Sequence, residues 1–145
     1  MSSAAFFQQG IEFSSRPATV LLVDEDPRDL ALYRTLLEGQ GLKVIACSSF
    51  ESGVQCLDAK PIDFVLVSQG SMAFEGRLIL ERAMRGNRNR SVLVVTRCID
   101  MQCYLEAMQL GAVDYLEKPI APPDLLRFVQ VHIQSSKMKA KELGA

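Results

Sequence analysis

The sequence predicts an α/β fold, a doubly wound parallel sheet of five strands with helices on both faces, and three observations predict it. Short apolar runs alternate with segments whose apolar residues recur at helical spacing. The runs are apolar throughout, as in Val20-Leu21-Leu22-Val23 and Val92-Leu93-Val94-Val95, which suits strands covered on both faces. Gly, Pro, Asn and Asp punctuate the boundaries between the two kinds of segment. The 145 residues make one domain, and 48% hydrophobic with 23% charged residues is ordinary for a globular protein with a single core.

Each element has its own signature. The first strand covers about 19–23. Asp26-Pro27 then starts a helix, with proline in its first turn and a stripe of Leu32, Tyr33, Leu36 and Leu37, until Gly39 and Gly41 end it. A second strand over 43–47 leads to Ser48-Ser49-Phe50-Glu51, a capping-box spacing, and to a helix with Phe50, Val54 and Leu57 on one face. The third strand, 62–67, breaks at Ser68 into the loop Gln69 to Gly76. A third helix spans 77–85, and Gly86-Asn87-Arg88-Asn89 turns into strand four, 91–96. Asp100 caps the fourth helix, whose Met101, Tyr104, Leu105 and Met108 recur at core-facing spacing before Gly111 stops it. Tyr104 on that stripe is expected in the core. Strand five covers 113–117, and Pro122-Pro123-Asp124 opens a fifth helix that reaches at least Ile133.

The chain thus divides into an N-terminal extension, 1–17, a folded domain, 18–134, and a C-terminal helical tail or start of a linker, 135–145. Phe6, Phe7, Ile11 and Phe13 make the extension too apolar for a plain tail, so it is expected to pack on the domain or a partner. Helix formers from Gln134 to Leu143 can carry the fifth helix toward an effector domain.

Composition excludes several functions. A net charge of −1 gives no reason to expect nucleic acid or an anionic membrane as partner. Six arginines between Arg77 and Arg97 face one acid, Glu81, without interleaved aromatics for base stacking, and read as a solvated face. Cys47, Cys56, Cys98 and Cys103 lack metal-ligand spacing, and His132 is the sole histidine, so no zinc site is expected. Free thiols, with no signal peptide or membrane-spanning run, point to the cytoplasm. Cys98 alone lies close to the strand ends that carry polar groups.

Those strand ends carry the chemistry. Strand one ends in Asp24-Glu25-Asp26, strand three in Ser68, strand four in Thr96 and strand five in Lys118-Pro119. Ligands of doubly wound sheets bind outside the carboxyl ends of the strands, so topology brings these residues together. This ordered set resembles the receiver domain of bacterial two-component response regulators over roughly 18–134, with an atypical feature: the phospho-accepting aspartate is replaced by Ser68. The resemblance implies a flavodoxin-like strand order 2-1-3-4-5, an acidic pair at Asp24 and Glu25 for magnesium, and phosphoryl contacts from Thr96 and Lys118. It further implies a switch aromatic at Tyr115, a cis Lys118-Pro119 bond, and partner or dimer contacts through the fourth helix, fifth strand and fifth helix. Arg97, where the family usually has a small residue, is read as a gate over the site. Tyr104, Tyr115 and Phe128 are the aromatics available to that contact face.

Serine changes what such a site can do. A carboxylate is already ionised at neutral pH, whereas a hydroxyl needs a base to take its proton, and its oxygen lies about 1.5 Å nearer the backbone. Losing one of three carboxylates also leaves magnesium weakly bound or unbound at Asp24 and Glu25. Lys118, deprived of its usual partner, is expected to pair with Asp24 or Glu25. These departures read as a pseudo-receiver, a phosphorylation-independent interaction or dimerisation module without enzymatic activity. Two alternatives remain: a conventional receiver modified elsewhere, at Asp63 or as phosphoserine at Ser68, and a haloacid-dehalogenase-like phosphatase using Asp24 and Asp26. The phosphatase reading lacks a later acidic pair, since Asp124 and Glu142 stand in a helix and a tail.

Overall fold

A computed structural model of the chain describes residues 17–144, with side chains through 135. Five strands, β1 (Thr19–Val23), β2 (Lys43–Cys47), β3 (Phe64–Ser68), β4 (Ser91–Thr96) and β5 (Asp114–Glu117), form one parallel sheet in the order β2-β1-β3-β4-β5. The helices are α1 (Pro27–Glu38), α2 (Phe50–Ala59), α3 (Arg77–Gly86), α4 (Met101–Gln109) and α5 (Pro122–Gly144). Alternate strand residues point to opposite faces and build two separate cores. Val20, Leu22, Phe64, Leu66, Leu93 and Val95 join Tyr33 and Leu37 of α1 and Leu125 and Val129 of α5. Leu21, Val23, Val65, Val67, Val92 and Val94 join Leu57 of α2, Ile79 and Leu80 of α3, and Cys103 and Ala107 of α4.

The caps explain where helices begin. Asp26 accepts the N–H groups of Arg28 and Asp29, and Asp100 that of Cys103, satisfying donors that no helical carbonyl reaches. The expected Ser48–Glu51 capping box is corrected. Ser49 is the cap and accepts the N–H of Ser52 at 3.2 Å, which makes Ser52 rather than Glu51 its reciprocal partner. β3 starts at Phe64 rather than Ile62. Asp63 ties down the sheet's amino end instead, giving its N–H to the Thr19 carbonyl and accepting the Thr19 N–H at 2.7 Å.

Two stripes differ from expectation. Tyr33 and Leu37 of α1 are buried, but Leu32 is half exposed. On α4 the stripe faces outward: Met101, Tyr104 and Leu105 are 65%, 37% and 45% exposed, and the buried face is Cys103 and Ala107. Small residues turn inward because α4 lies close over β5, where a larger side chain would push it away. Tyr104 is therefore a surface residue, packed edge-on against Tyr115 at 5.7 Å between centroids. The backbone of α5 continues to Gly144, as the helix formers implied. The extension's Phe6, Phe7, Ile11 and Phe13 lie outside the described residues.

Candidate functional site at the carboxyl edge of the sheet

β1, β3, β4 and β5 deliver Asp24, Ser68, Thr96 and Lys118 to one edge, where they line a cleft of about 800 Å³. The Lys118-Pro119 peptide bond at its rim is cis. Of the residues named from the sequence, Glu25, Arg97 and Cys98 also line the cleft. Tyr115 lies beneath, buried in the core shared by α2, α3 and α4.

Lys118 is held by two carboxylates. Its ammonium donates to Asp24 at 2.7 Å and to Asp29 at 2.8 Å, with Lys118 and Asp24 both buried. Burial opposes the Lys118 charge, yet the two carboxylates outweigh it and hold its pKa above the ordinary lysine value. Asp24 is also committed on its other oxygen, which accepts the Asp26 N–H at 2.9 Å. Glu25 is exposed and does not take up Lys118, so only Asp24 of the two expected partners does so. Asp29 is the residue that the sequence reading missed. Its place in the first turn of α1 is where any acid is favoured by the helix dipole, so nothing local marks it as a site residue.

Arg97 completes the cluster. Its guanidinium donates to Asp29 at 2.6 Å and to Asp26 at 3.2 Å, so it joins an ion-pair chain at the mouth of the cleft while its side chain stays 59% exposed. The chain runs Asp26, Arg97, Asp29, Lys118, Asp24. Two cations and three carboxylates thereby join the start of α1 to the ends of β1, β4 and β5.

Ser68 is 4% exposed and its Oγ accepts the Gly70 N–H at 3.1 Å. The loop above it is closed by Glu75, which accepts both the N–H (2.7 Å) and the hydroxyl (2.8 Å) of Ser71. The Ser71 N–H bond, foremost, holds the Glu75 carboxyl below the usual carboxylate range. Glycines permit this closure. Gly70 adopts φ +83°, and a Cβ at Gly76 would stand 2.1 Å from the Ser68 carbonyl oxygen. Thr96 is turned into its own loop, donating to the Cys98 carbonyl at 2.9 Å.

Tyr115 donates its hydroxyl to the Gln69 side-chain carbonyl and accepts the Asp100 N–H at 3.1 Å. Gln69 is itself buried and steadied by a bond to the Ser71 carbonyl at 3.1 Å. The aromatic is thus latched inward by the residue next to Ser68. Burial, above all, raises the Tyr115 pKa.

Other sequence features resolve as structure. Arg77 pairs with Glu81 and Glu106, Arg82 with Asp58, and the half-buried Arg90 donates to the carbonyls of Ile62 and Ala83. The arginine-rich segment is therefore largely neutralised by acids or used as a strut. His132 stacks on Phe128 and packs against Phe64, at the opposite end of β3 from Ser68. No three His, Cys, Asp or Glu side chains among the described residues are grouped to hold a metal ion. No helix among them is long and apolar enough to cross a membrane.

A family model described as a response regulator receiver domain matches residues 20–130. Among curated proteins the chain is 34% identical over 125 residues to the sensor protein GacS of Pseudomonas syringae pv. syringae, covering 83% of this chain and 14% of that protein. It is 32% identical over 117 residues to the two-component response regulator PprB of Pseudomonas aeruginosa, covering 78% of this chain and 42% of that one. The chain therefore spans less than half the length of either relative. Among solved structures, a response regulator receiver domain protein from Methanospirillum hungatei JF-1 superposes with a TM-score of 0.80 at 22% identity, over 86% of this chain and 99% of that one. At that identity the likeness speaks for the fold.

Proposed function

The chain belongs to the response regulator receiver domain family, and from that premise we propose that it is a pseudo-receiver: a phosphorylation-independent interaction or dimerisation module in two-component signalling. One observation carries the reading. At the end of β3, where the family resemblance places the phospho-accepting carboxylate, stands a buried serine hydroxyl that accepts the Gly70 N–H. A hydroxyl becomes a nucleophile only when a base removes its proton. The one histidine lies at the far end of the strand, and the Asp24 oxygens already accept the Lys118 ammonium and the Asp26 N–H.

The same commitments leave magnesium a poor seat. A hard divalent cation needs free carboxylate oxygens, and here Lys118 takes one of Asp24's and the Asp26 N–H the other, which leaves Glu25 alone of the acidic pair uncommitted. In this reading Lys118 supplies internally the positive charge that balances the acidic edge. Asp63, the other acid near β3, is tied to Thr19 at the opposite end of the sheet, which argues against it as a substitute acceptor.

For partners we propose the face of α4, β5 and α5. Its support is the outward stripe of Met101, Tyr104, Leu105 and Met108 on α4, because exposed apolar area at one face marks interaction sites. The Gln69–Tyr115 latch supports a face held in one state. A cytoplasmic location suits such a module.

Incubation with magnesium and acetyl phosphate, followed by intact mass spectrometry, tests the reading. The protein is expected to stay unmodified. A hydroxylamine-labile phosphate adduct would make it a conventional receiver that uses another acceptor.

A further inference from the structure

Cys47 and Cys56 meet in a way that the receiver reading does not use. Cys47 closes β2, the edge strand, and Cys56 lies on the inner side of α2, with their sulfurs 3.6 Å apart. That is contact distance for two thiols, and a disulfide needs about 2.05 Å, so a closure of roughly 1.5 Å separates the two states. The other thiols have no such partner: Cys98 is exposed in the loop before α4, and Cys103 points to the Met72 carbonyl at 3.6 Å.

We propose that Cys47 and Cys56 are a modification site, a dithiol that a peroxide converts reversibly into an intramolecular disulfide. The inference is independent of whether Ser68 accepts phosphate. The two thiols divide the work. Cys56 is partly exposed and meets the oxidant: its sulfur attacks the peroxide O–O bond, becoming a sulfenic acid as one water leaves. Cys47, 7% exposed, is the resolving thiol: its sulfur displaces the sulfenic hydroxyl, its proton leaves with that hydroxyl as the second water, and the S–S bond forms. Two thiols lose two electrons and two protons, and the peroxide is reduced to two waters. Burial first, then the neighbouring Cys56, pushes the Cys47 thiol up to about 11, so it stays protonated at neutral pH and does not itself meet the oxidant.

The location gives the bond a reach. The Cys47 carbonyl accepts the Asp24 N–H at 3.1 Å, and Cys47 pairs with Val23 across the ladder. Oxidation would therefore fasten α2 to the strand beside the acidic edge.

The test is peroxide treatment of the intact protein, denaturing alkylation, and cleavage at Glu51, which lies between the two cysteines. Expected are two alkylated thiols, Cys98 and Cys103, fragments joined until dithiothreitol is added, and an unchanged far-ultraviolet circular dichroism spectrum. Cys56→Ser should abolish the linkage while keeping that spectrum. Linkage through Cys98 or Cys103, oxidation of Cys47 and Cys56 without a linkage, or loss of the native spectrum on forming it would each overturn the proposal.

Discussion

At the scale of single residues, Asp29 matters more than its position in the chain suggests. It accepts from both Lys118 and Arg97, so removing its charge leaves one buried cation with a single partner. Asp29→Asn is expected to lower stability by about 1–3 kcal/mol, against less than about 0.5 kcal/mol for Glu25→Gln, whose side chain is exposed. Urea midpoints of the two variants check this, and equal midpoints would deny Asp29 its role. The sequence made Asp24, Ser68, Thr96 and Lys118 legible because each follows a strand end, and strand ends converge by topology. It could not show Asp29, whose partner lies 89 residues away and whose local setting suits any helix-start acid.

At the scale of elements, α4 separates periodicity from direction. Met101, Tyr104, Leu105 and Met108 mark one apolar face correctly as a face, but spacing carries no statement of what that face meets. Cys103 and Ala107 form a second, smaller face, and the smaller one wins the core because it lets the helix sit close to the sheet. Leu105→Lys should therefore change stability by less than about 0.5 kcal/mol while weakening self-association or partner binding, read by sedimentation. Unchanged association would remove α4 from the interface. Phe128, half-buried against Phe64 and His132, behaves differently. Phe128→Glu should act on folding, by about 1–3 kcal/mol, and so cannot report on contacts alone.

At the scale of the whole molecule, several buried groups hold their protons more tightly folded than unfolded, Cys47, Cys103, Lys118, Tyr33 and Tyr115 among those that titrate in alkali. Burial foremost raises Cys47 and Cys103 from 9.0 to about 11, and Lys118 is raised as well. Such groups add stability that is complete below the unfolded value and lost as pH climbs through the folded one. The unfolding free energy from urea titrations should thus fall between about pH 9 and pH 11, and the fall should shrink by about 2 kcal/mol in Cys103→Ala. An equal fall in the variant would show that Cys103 does not contribute. The partition of the sheet into two cores has a consequence for how substitutions combine. Leu66 and Val67 are chain neighbours, yet one packs with α1 and α5 and the other with α2, α3 and α4. Energetic independence here follows the faces of the sheet rather than the order of the chain: adjacent residues can mutate as strangers, while Val67 and Cys103 share a single packing problem.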